Sequence, residues 1–183
     1  MIFDELALSG TYLIKPQYFH DNRGSFGRLL CKDELKKIGH TEDIVQVNHS
    51  INSTKGSIRG MHYQISPCCE VKIIKCLKGA IWDVIIDLRK NSPTFLQWTG
   101  IEISAKNQHI IYIPKGFAHG FQVLENDSEL LYMHTANYSP AHERAMNYND
   151  PKFGIDWPLT ITEVSTKDSS HLMLDENFKG LEI

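Results

Sequence analysis

The chain has 183 residues, enough for one domain with a full core, since domains typically run to about 100–150 residues. Hydrophobic residues make up 42% and charged residues 22%, which excludes a disordered or fibrous chain. With a net charge of −3 and Lys36-Lys37 as the longest basic cluster, the basic stripe of a nucleic-acid partner is excluded too.

The start, Met1-Ile2-Phe3-Asp4-Glu5, carries early acids in place of a basic segment leading into an apolar run. No stretch reaches about 18 consecutive apolar residues, so a cytoplasmic protein without a membrane partner is expected. Short β-branched and aromatic runs, each bounded by turn residues, predict strands over 10–16, 44–52, 58–64, 71–77, 81–88, 98–103, 109–113, 120–124 and 130–138. The best helical candidate is 32–38, where Leu35 and Ile38 share a face; a second short turn falls at 140–144. Turn chemistry between the apolar runs, such as Lys78-Gly79, Asn91-Ser92-Pro93 and Pro114-Lys115-Gly116, supports the strand reading. The expected fold is mainly β, a double-sheet antiparallel jelly roll with a few short helices. A single domain over 1–183 is expected, with its core at about 10–140, a tail over 141–183 that wraps it, and a mobile tip at 176–183.

Segment 56–64, Gly56-Ser57-Ile58-Arg59-Gly60-Met61-His62-Tyr63-Gln64, places reactive and anion-binding side chains in a strand. Strict alternation separates Arg59 from His62, whereas a bulge at Gly60 re-aims both toward a pocket. A core histidine beside a surface arginine is the other reading. Lys72 shares a face with Ile74 and Cys76; it is either an edge lysine in solvent or a buried ammonium that needs a partner or a task. Tyr132 lies in an apolar strand between Leu131 and Met133, and His119 between aromatic residues and turn glycines. No zinc or iron ligand spacing occurs, although His62, His119 and Glu70 can converge in three dimensions, so no metal is expected. Cys31, Cys68, Cys69 and Cys76 read as free thiols, and nucleophile elbows and phosphate-cradling loops are absent. Acid–base groups are the tools left to an enzyme of this composition.

Several blocks in fixed order resemble the dTDP-4-dehydrorhamnose 3,5-epimerase family. They are Phe19-His20-Asp21-Asn22-Arg23-Gly24-Ser25-Phe26, Gln46-Val47-Asn48, Arg59-Gly60-Met61-His62-Tyr63-Gln64, Asp87-Leu88-Arg89 with Ser92-Pro93-Thr94, Tyr112 through Phe121, and Asn149-Asp150-Pro151. The resemblance implies a cupin-type jelly roll, a homodimer, and a cofactor-free epimerase acting on a nucleotide-diphosphate 4-keto-6-deoxy sugar that feeds a surface polysaccharide. It implies His62 as base, oriented by Asp168, Tyr132 as opposing acid, and Lys72 near the enolate oxygen. Arg23 and Arg59 are implied at the diphosphate, with Phe26, Arg28, Gln46, Asn48, His119 and Tyr138 at further substrate positions. Two departures stand out: Arg28 occupies the place of a glutamate associated with thymine recognition, and Glu70 replaces a usual glutamine. Arg28 keeps open another nucleotide, such as a CDP sugar, and a 3-epimerase remains a near alternative. A non-catalytic sugar-binding jelly roll and a metal-dependent cupin are the more distant ones.

Overall fold

The computed structural model describes residues 1–183 as thirteen strands, two α-helices of one turn each and one 3-10 turn. In chain order the strands are β1 (Ile2–Glu5), β2 (Tyr12–Lys15), β3 (Tyr18–Asp21), β4 (Gly24–Gly27), β5 (Gln46–Asn52), β6 (Ile58–Gln64) and β7 (Lys72–Lys78). There follow β8 (Ala80–Asp87), β9 (Trp98–Ser104), β10 (Ile110–Ile113), β11 (Phe117–Val123), β12 (Ser128–His134) and β13 (Glu143–Ala145). A six-stranded sheet runs β1-β2-β10-β7-β12-β5 and faces a five-stranded sheet, β13-β6-β11-β8-β9; β3 and β4 form a separate hairpin. All strand pairs are antiparallel. The jelly-roll expectation is met.

The sandwich turns its corner at one residue. β7 belongs to the first sheet and β8 to the second, and only Gly79 separates them, at φ +70° and packed against Ser128. A side chain there would be both strained and obstructed. Between the sheets lies a core in which Leu13, Ile74, Cys76, Ile111 and Leu130 of one sheet meet Ile81, Ile85, Ile103, Phe117, Phe121 and Val123 of the other. Each such side chain contributes about 1.5–3 kcal/mol on leaving water.

Both outer faces are also covered, which is why β8 reads as a continuous apolar run and not as an alternation. Leu35 of α1 (Lys32–Leu35) packs on Ile14, Ile73 and Ile110 outside the first sheet. Met146, Phe153 and the C-terminal segment pack on Val84, Ile86 and Leu88 outside the second. The 32–38 expectation resolves into α1 plus a 3-10 turn, Lys36–Ile38, closed by Gly39 in the left-handed region. No helix is long and apolar enough to cross a membrane.

Three expectations are corrected. Segment 140–144 is a turn followed by strand β13, because residues 143–145 pair with β6. The stretch around Asp168, read as irregular tail, contains α2 (Thr166–Ser169), whose N-cap Ser165 Oγ accepts the Asp168 amide at 3.0 Å. The tip is tied down, not free: Leu181 donates to Leu88 O and its own carbonyl accepts from Lys90 N. The block Asp87-Leu88-Arg89 with Ser92 and Thr94 is a structural corner. Its buried Asp87 carboxylate accepts from Arg89 Nη2 (2.7 Å), Ser92 Oγ (2.5 Å) and Thr94 Oγ1 (2.7 Å).

Candidate active site

Strand faces that are apolar in the middle of the sandwich become polar toward one end, and there the sheets enclose a cavity of about 620 Å³. Along β12 the inward face runs from Leu130 in the core to Tyr132 and His134 on the cavity wall; along β7 it runs from Cys76 and Ile74 to Lys72. β5 adds Gln46, Asn48 and Ser50. The facing wall comes from Arg59, His62 and Gln64 of β6, His119 and Phe121 of β11, Glu143 of β13, and Ser165, Lys167 and Asp168 at α2.

Arg59 and His62 reach the same cavity because β6 is bulged between them. His62 pairs with His119 and Arg59 with Phe121, so three steps along β6 are matched by two along β11. Gly60 has φ +131°, and a Cβ on it would fall 2.5 Å from Gly120 Cα. Glycine is required on both counts.

His62 Nε2 lies 2.8 Å from Asp168 Oδ1, and Asp168 Oδ2 accepts the Gly60 amide at 3.2 Å. Burial raises the Asp168 carboxyl, but the hydrogen bond from His62, that residue's charge and the Gly60 amide together hold it below the usual carboxylate range. An ionised acceptor on Nε2 fixes the proton there and leaves the lone pair on Nδ1. On the opposite sheet, burial pushes the Tyr132 phenol well up, the Asp83 charge adds to this, and Arg59 opposes it. The phenol therefore holds its proton at neutral pH. Its ring stacks on His134 at 6.0 Å.

Lys72 Nζ donates to the His62 carbonyl at 3.2 Å and pairs with Glu70 Oε1 at 3.3 Å. Glu70 in turn accepts from Gln64 Nε2 and sits 3.1 Å from His134 Nδ1. Burial raises its carboxyl, but His134 and Lys72 bring it to a net lowering. His119 Nε2 meets Asp83 Oδ2 at 2.8 Å; burial raises the Asp83 carboxyl against the pull of His119, and its Oδ1 has no partner. At the rim, Gln46 Oε1 accepts the Tyr138 amide, and Glu143 joins the Tyr138 hydroxyl to Lys167 Nζ. Arg59 lines the cavity without an ion pair.

The cavity thus gathers His62, Tyr132, Lys72, Asp168, Gln46, Asn48, Arg59, His119 and Tyr138. Arg23, Phe26 and Arg28 are not among its lining residues, which corrects the expectation for a single chain. They lie on or beside the β3–β4 hairpin, which pairs only with itself; Phe26 is 77% exposed, Arg23 holds Asp21 and Arg28 holds Glu34. Half of the lining residues had no expected catalytic or substrate role, among them Glu70, His134, Glu143 and Lys167. Lys167 adjoins Asp168, and Glu70 was visible as a departure, but a three-residue strand leaves no periodicity to flag Glu143. Of potential metal donors, His62, Asp168 and His171 lie within 4.8 Å of one another. The first two are joined by the 2.8 Å hydrogen bond, and His171 Nε2 stands 3.7 Å from Asp168 Oδ1.

An imidazole on one wall of this cavity and a phenol with an ammonium on the facing wall, all inside a cupin-type jelly roll, are the makings of an epimerase. Over residues 5–176 the sequence matches the pattern of the family described as dTDP-4-dehydrorhamnose 3,5-epimerase. The Salmonella typhimurium enzyme of that name is 39% identical over 178 residues, 96% of this chain and 97% of its own. A Bacillus anthracis dTDP-4-dehydrorhamnose 3,5-epimerase with TDP and PPi bound superposes with a TM-score of 0.91 at 39% identity, covering 94% of this chain and 99% of that one. A Legionella pneumophila dTDP-6-deoxy-D-glucose-3,5-epimerase in complex with dTDP-4-keto-L-rhamnose gives a TM-score of 0.91 at 35% identity, covering 100% and 98%. The chain belongs to the dTDP-4-dehydrorhamnose 3,5-epimerase family.

Proposed function

We propose that the protein inverts C3 and C5 of dTDP-4-dehydro-6-deoxyglucose to give dTDP-4-dehydrorhamnose. The carrying observation is that His62 stands on the five-stranded sheet, Tyr132 and Lys72 stand on the six-stranded sheet, and all three line one cavity. A hydrogen beside the C4 ketone is acidic only when the enolate is stabilised, and inversion needs removal from one face of the ring and return on the other. His62 Nδ1 takes the proton, Lys72 faces the enolate oxygen, and Tyr132 delivers its proton to the opposite face. Asp168 holds the His62 tautomer and stabilises the imidazolium that forms. Arg59 offers its unpaired guanidinium to the diphosphate, with Lys167 nearby at the rim.

The same reading assigns Arg23, Phe26 and Arg28 to the cavity of a second copy. Phe19 and Phe26, a cross-strand pair, are 76% and 77% exposed on the hairpin, a costly display for a monomer. A homodimer that lodges the hairpin at its partner's cavity mouth covers them. One domain per protomer and a cytoplasmic location, where nucleotide sugars are made, complete the proposal. Because Arg28 stands where the resemblance expects a glutamate, the base is tested directly: dTDP should raise the melting temperature more than CDP does, and the reverse would assign a CDP sugar. Turnover in deuterated water, read by NMR, should place label at both C3 and C5. Label at C3 alone reduces the activity to a 3-epimerase, and no label refutes it.

A further inference from the structure

The ammonium that faces the enolate oxygen has a rival charge beside it. Lys72 Nζ has two partners in the cavity, the His62 carbonyl at 3.2 Å and Glu70 Oε1 at 3.3 Å, and the Lys72 and Glu70 side chains are only 11% and 8% exposed. A carboxylate there opposes the charge that builds on the sugar oxygen and draws the ammonium toward itself. Yet the pair is slack: Lys15, Lys36, Lys90, Lys115 and Lys167 meet their carboxylates at 2.6–2.8 Å.

The second carboxylate oxygen accounts for the slack. Oε2 lies 3.1 Å from Gln64 Nε2 and 3.1 Å from His134 Nδ1, and backbone amides fix the orientation of both donors. The Ser139 amide donates to Gln64 Oε1 at 2.7 Å, which turns Gln64 Nε2 toward Glu70. The Tyr138 amide donates to Gln46 Oε1 at 2.8 Å, so Gln46 presents Nε2 to Asn48 Oδ1 at 3.2 Å, and Asn48 presents Nδ2 to His134 Nε2 at 3.4 Å. An amide NH2 only donates, so His134 Nε2 accepts and the ring proton sits on Nδ1, aimed at Glu70. With Lys72, three donors converge on residue 70, and a carboxylate, unlike the glutamine that the resemblance expects, accepts at both ends. The His134 ring also lies flat against Tyr132, at 10° and 6.0 Å between centroids.

We propose that His134 is a positioning residue for Lys72 that acts through Glu70: its Nδ1–H holds the carboxylate, so that Glu70 steadies the ammonium beside the His62 carbonyl without capturing it. Of the three Lys72 N–H groups, two are then spent on His62 O and Glu70, and the third is left for the sugar oxygen. Without the His134 donor the Glu70 charge falls to Gln64 and Lys72, the ion pair tightens, and the ammonium leaves the place where the enolate charge develops. His134 thus acts on the chemical step, so kcat and not KM carries its effect.

This role rests on the enolate chemistry proposed above, and the experiment tells the two apart. Steady-state kinetics with the 4-keto-6-deoxy sugar nucleotide compares wild type with His134→Phe, which keeps a ring on Tyr132 but no donor, and with His134→Asn, which returns an N–H to the Nδ1 place. His134→Phe should lose at least about tenfold in kcat with KM within about threefold; this is less than the roughly 10²–10³-fold typical of losing an oxyanion donor outright, because Lys72 is still present. His134→Asn should recover most of that loss. In a Glu70→Gln background, where no charge is left to capture Lys72, the same His134→Phe change should cost less than about threefold. Equal costs in the two backgrounds, an unaffected His134→Phe, or no recovery with Asn would overturn the role while the activity stands. The wild type supplies a readout that needs no variant to fold: 1H–15N NMR at about pH 8, where an imidazole is mostly neutral, should find the His134 proton on Nδ1. A proton on Nε2 would overturn the role whatever the kinetics. A wild type without turnover, or Lys72→Met with undiminished kcat, overturns the proposed chemistry and this role together.

Discussion

Replacing Asp168 by Asn changes almost nothing in volume and isolates what the carboxylate does. Asp168 serves two donors, His62 Nε2 at 2.8 Å and the Gly60 amide at 3.2 Å, with one oxygen each. The amide of Asn has one oxygen and must choose. If the oxygen keeps Gly60, the NH2 group faces His62 and forces Nε2 to accept, which puts the ring proton on Nδ1 and removes the lone pair that takes the sugar proton. If the oxygen keeps His62, two donors meet at Gly60, at a cost of about 1–3 kcal/mol for a buried unsatisfied group. In either case the charge-assisted bond to the imidazolium is lost, worth about 1.5–3 kcal/mol, or roughly 10- to 150-fold in rate. With the tautomer penalty added, kcat should fall about 10²–10³-fold, while KM moves less than about threefold because the carboxylate orients the base and binds no substrate. Steady-state kinetics alongside a thermal melt measures both. A variant that keeps kcat within threefold but loses substrate affinity would refute the reasoning and make Asp168 a binding residue.

Tyr132→Phe should abolish inversion yet leave His62 able to exchange the first-attacked proton with solvent, so washout of substrate deuterium without epimer formation is expected by NMR; loss of both would place the phenol elsewhere in the reaction. Lys72→Met should lower kcat about 10²–10³-fold, the typical loss of one oxyanion donor, and leave the fold intact by circular dichroism. For Asp87, burial raises the carboxyl, but the bonds from Arg89, Ser92 and Thr94 hold it below the usual range. A depressed folded pKa means stability that is present above the unfolded value of about 3.9 and lost as pH falls through the folded one. The melting-temperature advantage of wild type over Asp87→Asn should therefore be flat from about pH 5 to 8 and shrink below about pH 4.

The strands around the site were legible because their β-branched runs end in turn residues; β6 was read to its observed bounds. The bulge was legible as an alternative because Gly60 interrupts a pattern that otherwise parts Arg59 from His62. Strands β1, β3, β4 and β13, of three or four residues each, left no readable period. Within the site, the lining residues that the family resemblance names were found, whereas Glu143 and His134 were not, since their positions depend on which strand or turn lies opposite. The residues of the hairpin block do not line this chain's own cavity, and sequence spacing carries no information about which surface a separate two-stranded hairpin meets.

The central claim is that His62 and Tyr132 flank one hexose ring with Lys72 at its carbonyl, and a crystal structure with a bound dTDP-linked deoxyhexose tests it most directly. The ring should lie between the imidazole and the phenol, one on each face at van der Waals distance, with the C4 oxygen within hydrogen-bond reach of Lys72 Nζ. A sugar seated with both side chains on the same face, or outside the cavity altogether, would contradict the account.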